Sequence, residues 1–172
     1  MPLLKDGRAV EDVWATLDDA TRPASQGDLI VSLEQWQAGR DQLLRRNGRL
    51  GLRLNSDQPP AAIAADLEHF TLIALDFPRF GDGRAYTYAR QLRERHGFKG
   101  ELRAVGNVLR DQLLFMLRCG FDAFEIGGEV ADEAAAAAWQ AAAAEFTVWY
   151  QPTGDGRQPA SALRRPSVNA AG

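Results

Sequence analysis

Phe70-Thr71-Leu72-Ile73-Ala74-Leu75-Asp76-Phe77 decides the fold. Six of these eight residues are apolar, and they do not alternate with polar ones. A short run of that kind fits a strand covered on both faces. The flanking sequence repeats the plan. Leu50 to Leu54 reads as an earlier strand, followed by a proline-led helix from Pro59 or Pro60 to about Leu67. Before that, Leu29-Ile30-Val31 reads as a strand, and Ser32 with Gln35 forms a capping box that opens a helix. Leu33, Trp36, Leu43 and Leu44 fall near helical spacing, and Asn47-Gly48 stops the helix because both residues tolerate positive φ.

Downstream, residues 84–96 predict a helix ended at Gly97. Leu102 to Val105 predicts a strand, Asn107 through Arg118 a helix ended at Gly120, and Ala123 to Ile126 a fifth strand. Residues 129–146 form an alanine-rich helix pattern with Trp139 and Phe146 turned inward, and Thr147 to Tyr150 an extended segment. Five strand-then-helix units imply a single α/β domain with a mostly parallel sheet and right-handed crossovers. Two arrangements remain open, a Rossmann-like doubly wound sheet or part of a β/α barrel. A complete barrel needs about 250 residues. The expected organisation is a polar segment over 1–27, whose run Ala9 to Trp14 suits a sheet edge, an α/β domain over 28–150, and a flexible tail over 151–172.

Composition narrows the classes. Of 172 residues, 45% are hydrophobic and 25% charged, ordinary values for a globular chain. The net charge of -3 argues against a general nucleic-acid binder. No apolar run approaches the roughly 20 residues that span a bilayer, and the start lacks a basic-then-apolar leader, so a cytoplasmic protein is expected. Cys119 is the only cysteine, which excludes an internal disulfide and a redox dithiol. Two histidines and one thiol make a poor metal set. Flavin, nicotinamide and iron–sulfur fingerprints are absent from the sequence, as is a P-loop.

In open parallel sheets, ligands bind beyond the carboxyl ends of the strands. That rule selects Asn55, the loop Asp76 to Arg84, Gly106-Asn107 and Gly127-Gly128. Asp82 is either a site residue or a cap for the next helix. Asp76 should have a partner in Arg79 or Arg103. The chain holds 18 arginines and two lysines, and the segment from Arg79 to Arg118 is locally +5. Such a face suits an anion or an acidic partner. A solvated helix surface with Arg90, Arg93 and Glu94 pairs is the plainer alternative. Arg103 interrupts an apolar strand, and Arg110 lies in the first turn of a helix, where a cation needs a carboxylate or ligand partner. Cys119, beside Arg118, reads as a buried structural cysteine rather than a nucleophile.

Gly81-Asp82-Gly83-Arg84, Leu92-Arg93, Gly100-Glu101-Leu102-Arg103-Ala104-Val105-Gly106, Leu109-Arg110-Asp111-Gln112 and Cys119-Gly120-Phe121-Asp122 together resemble one bacterial family. It is a domain-of-unknown-function family (934), described as probable oxidoreductases involved in sulfite reduction. The likeness runs more loosely from Leu29 to Phe146. The resemblance implies a role in sulfur assimilation, since members are typically encoded beside the sulfite reductase hemoprotein, which becomes the implied partner. It supplies no catalytic residues. Asp82, Arg84, Arg103, Asn107, Arg110, Asp111 and Gln112 are the candidates for binding a small oxyanion or other ligand, on their place in these motifs and near the expected mouth. Catalysis, any cofactor and self-association stay open at this point.

Overall fold

A computed structural model describes residues 3–5, 8–17, 26–79, 81–126, 137–139 and 141. Its eight strands are β1 (Leu3–Lys5), β2 (Arg8–Val10), β3 (Ala15–Thr16), β4 (Leu29–Ser32), β5 (Leu50–Leu54), β6 (Leu72–Phe77), β7 (Glu101–Gly106) and β8 (Ala123–Glu125). The α-helices are α1 (Leu33–Leu44), α2 (Arg84–Arg90) and α3 (Leu113–Cys119). One sheet holds all eight strands in the order β2-β1-β8-β7-β6-β5-β4-β3. From β3 to β8 each strand lies parallel to the next in sequence, and β1 joins antiparallel between β2 and β8.

That order settles the architecture. A doubly wound sheet reverses its strand order at a switch point. Here the order never reverses, so right-handed crossovers place every helix on one face. The result is a curled half-barrel. Its helical face is the main core. Val31, Leu52, Ile73, Leu75, Leu102, Ala104 and Phe124 meet Trp36 of α1, Ala85 and Ala89 of α2, and Met116 and Cys119 of α3. Trp139 packs into the same core, as expected from the alanine-rich pattern.

The alternate residues of the same strands make the helix-free face. There Ile30, Leu72, Ala74 and Val105 form a second, thinner cluster with Trp14 against it. Gly51 makes room for that indole: a Cβ there would stand 3.0–3.3 Å from Ile30, Leu72 and Trp14. The Arg49 guanidinium lies 5.0 Å from the Trp14 ring centroid. Residues 11–14, between the edge strands β2 and β3, thus lie across this face.

Arg103 lies beneath them, fully buried. Its guanidinium donates to Asp12 through both Nη atoms, at 2.7 and 3.2 Å, and through Nε to Glu101 at 2.9 Å. Glu125 lies 3.6 Å away, and Lys5 pairs with Glu101 at 2.5 Å. Burying a lone guanidinium costs several kcal/mol, about the size of the penalty per ion that a matched set of carboxylates offsets. The arginine that interrupts the apolar strand is therefore matched by carboxylates inside the fold.

Several local expectations change. The capping box at Ser32 forms, with Ser32 Oγ accepting from Gln35 N–H and Gln35 Oε1 accepting from Ser32 N–H. The expected helix from Pro59 is instead two 3₁₀ turns, Pro60–Ile63 and Leu67–His69. Eight residues are too few to propagate a helix alone, and Asp66 is engaged elsewhere, accepting from Trp36 Nε1 at 2.9 Å and from Arg40 at 3.1 Å. Helix α2 runs on as a π-helical turn over Gln91–Arg95. The last expected helix, apart from Trp139 and its neighbours, and the segment 151–172 lie outside the described residues. Among the described residues, no helix is long and apolar enough to cross a membrane.

Arg93 corrects the solvated-face expectation outright. It is buried, with Nε donating to Gly120 O at 3.0 Å, and Nη1 donating to Phe98 O and Gly100 O, both at 2.8 Å. Nη2 donates to Asp122 Oδ2 at 3.1 Å, while Asp122 Oδ1 accepts from Leu102 N–H. Arg90 and Glu94 do form the expected exposed pair, at 3.1 Å.

Candidate functional site

The carboxyl ends of β5, β6 and β7 form one rim. Chain geometry there is set by Gly106, whose φ of +87° favours glycine. A Cβ on Gly106 would lie 2.7 Å from Phe77 O, and the next N–H, on Asn107, donates to that same carbonyl at 2.7 Å. The loop after β7 is thereby stitched to the end of β6. After β5, Asn55 N–H donates to Gln58 Oε1, and Gln58 Nε2 donates to Glu34 at the start of α1.

Asp82 and Arg84 come together as the sequence suggests. Arg84 grips Asp82 with Nε at 2.9 Å and Nη2 at 2.6 Å, and Nη2 also donates to Ser56 Oγ at 3.0 Å. Asp82 Oδ1 also accepts from Arg84 N–H at 3.2 Å, a local turn at the start of α2. Arg84, helped by Ser56, holds the Asp82 carboxyl far below the usual carboxylate range. Asp82 is therefore held as the carboxylate by its contacts with Arg84. Its role is to orient Arg84, whose side chain is half exposed.

Asp76 is paired, but with neither expected partner. Arg53 Nη2 donates to Asp76 Oδ1 at 2.5 Å. Register explains it: Arg53 stands opposite Ala74 on the helix-free face, diagonal to Asp76. Ser56 and Arg53 are the rim residues that the motif reading missed. Their signal was the same carboxyl-end rule, applied to both sides of Asn55 at the end of β5.

The other candidates separate. Arg103 lies three residues before the end of β7, sealed in the network with Asp12, and is not at the rim. Asn107 is exposed at the rim. Arg110, Asp111 and Gln112 form a 3₁₀ turn, because α3 begins only at Leu113. Arg110 is exposed and has no carboxylate partner among the described residues. Asp111 lies close enough to Tyr86 to act on it. Burial first, then Cys119 and Asp111, push the Tyr86 hydroxyl up to about 12. Tyr86 itself bridges buried Phe77 and exposed Phe115, at centroid distances of 5.0 and 4.7 Å. Gly127-Gly128 lies outside the described residues.

The rim thus offers an oriented guanidinium at Arg84, a free one at Arg110 and an exposed amide at Asn107. That set can hold an anion or an acidic side chain. No trio of His, Cys, Asp or Glu that could hold a metal occurs among the described residues. The basic stretch is also thinner than its +5 suggests. Arg84, Arg90, Arg93 and Arg103 each meet a carboxylate and Arg118 is engaged as well, leaving Arg79, Arg95, Lys99 and Arg110 uncommitted among the described residues.

Cys119 faces the core rather than the rim. Burial pushes its thiol up to about 11.

Residues 51–161, more than half of the chain, match the family model described as a bacterial protein of unknown function (DUF934). The chain belongs to that family. No curated protein matches it.

Proposed function

We propose that this family member serves assimilatory sulfite reduction in the cytoplasm, as a binding partner of the sulfite reductase hemoprotein and without a redox centre of its own. The observation that carries the binding half is the rim of Arg84, Asn107 and Arg110, which presents exposed guanidinium and amide donors, while Cys119 offers no thiol chemistry. The only thiol in the sequence is buried and protonated near neutral pH, so it is neither a dithiol nor a reactive thiolate. The pathway half rests on the resemblance of the motifs from Gly81 to Asp122 to proteins described as acting in sulfite reduction. Arg79 and Arg110, uncommitted among the described residues beyond the carboxyl ends of β6 and β7, suit an acidic partner surface. Co-purification tests the proposal. A complex with the hemoprotein at micromolar concentration is expected, and its absence at low salt overturns the partnership.

A second reading is a small α/β enzyme or oxidoreductase with an arginine-lined mouth that takes an oxyanion or a cofactor. Arg110 and Asn107, exposed together after β7, favour it. It predicts that sulfite, sulfate or phosphate raises the melting temperature and that Arg110→Ala removes the shift. A flat response to all three anions removes its support.

A further inference from the structure

At the opposite end of the sheet lies an open cavity of about 540 Å³, between the second 3₁₀ turn and the loop before β7. Its mixed lining includes Phe70 and Phe98, both buried, and the partly buried Leu67. Its rim carries Glu68, His96 and Lys99. None of these three side chains makes a hydrogen bond or ion pair among the described residues. The rim is rigidly built. Arg93 clamps the carbonyls of Phe98 and Gly100 from below. At Gly100 a Cβ would stand 2.5 Å from both the Phe98 ring and Thr71 O, and Gly97 sits at φ +65°. The backbone that carries His96 and Lys99 is therefore held in place, which lowers the cost of binding.

The charge layout selects a ligand class. Lys99 attracts a carboxylate, and His96 can donate a hydrogen bond to it. Glu68, across the same cavity, attracts an ammonium. Phe70, Phe98 and Leu67 take an apolar group. The volume falls within the range of small-molecule sites. We propose that this cavity binds a free amino acid with an apolar side chain as its zwitterion. It lies at the amino ends of β6 and β7, away from the end where such folds do chemistry, so the ligand is held and not turned over. This site stands independently of the sulfite-reduction proposal.

Thermal melting and isothermal titration of the full chain with leucine, methionine, phenylalanine and cysteine test it. At least one should bind, glycine should not, and the N-acetyl and methyl-ester forms of the binder should each lose at least roughly tenfold. Glu68→Gln and Lys99→Met change exposed side chains. Each should weaken binding by a similar factor and leave the ligand-free melting temperature unchanged. The proposal is overturned if none of the four binds at 10 mM (roughly the weakest affinity worth the name). It is equally overturned if the blocked forms bind as well as the free amino acid, or if binding survives both substitutions.

Discussion

Replacing Arg93 with methionine should be the most damaging single change away from the apolar core. Among the described residues the side chain donates hydrogen bonds to Gly120, Phe98, Gly100 and Asp122, from a buried position. Methionine fills much of the volume but supplies no donor. Three carbonyls lose a donor, and the buried Asp122 carboxylate loses the Arg93 guanidinium. Removing one member of a buried pair costs about 3–5 kcal/mol, against a typical total stability of about 5–15 kcal/mol. With a urea m-value of about 2 kcal/mol/M, the unfolding midpoint should fall by about 1.5–2.5 M. Arg93→Lys should recover little, since one ammonium cannot reach three directions at once. Asp122→Asn keeps an acceptor for Leu102 N–H and should cost less than Arg93→Met. Circular dichroism across a urea series reads all three. If Arg93→Met is insoluble, the Asp122→Asn midpoint carries the test. A midpoint shift below about 0.5 M for Arg93→Met would match an exposed ion pair and refute the burial argument.

Asp66 gives a pH prediction. Trp36, then Arg40, lower its pKa below the usual 3.8. A depressed folded pKa contributes stability above the unfolded value, lost as pH falls through the folded one. Acid unfolding below about pH 4 should therefore be shallower in Asp66→Asn than in the parent, and identical acid limbs would contradict the pairing. Cys119, raised to about 11 by burial, should react with Ellman's reagent at pH 8 roughly a hundredfold more slowly in the native protein than in urea; equal rates would mean an accessible thiol. Gly106→Ala forces a side chain into a left-handed backbone and within 2.7 Å of Phe77 O. It should cost about 1–3 kcal/mol in urea melts, and a neutral result would mean that the loop after β7 is not stitched to β6.

Much of the sheet was legible in the sequence because its signals are local. Leu50–Leu54 is a strand at its expected bounds, Ser32 caps α1, and Gly97 and Gly120 end their helical segments. The partial-barrel alternative stood beside the doubly wound one because strand order is not local information. β1 was missed because Leu3 and Leu4 show no pattern of their own, and only pairing with β8, some 120 residues on, makes them a strand. Arg93 was misread for the same reason. Its neighbours Arg90 and Glu94 face water, and nothing near it announces Asp122 or the carbonyls of Phe98 and Gly100. At the site, Asp82 and Arg84 were legible because they are two residues apart. Arg53 with Asp76, and Arg103 with Asp12, needed the register of the sheet and the path of residues 11–14 across it.

Growth of a strain lacking this protein, on single sulfur sources, tests the central proposal most directly. Growth on sulfide and cysteine with failure on sulfate and sulfite, restored by the intact chain, is the expected result and sets the protein's role at sulfite reduction. Equal growth on all four sources would contradict it.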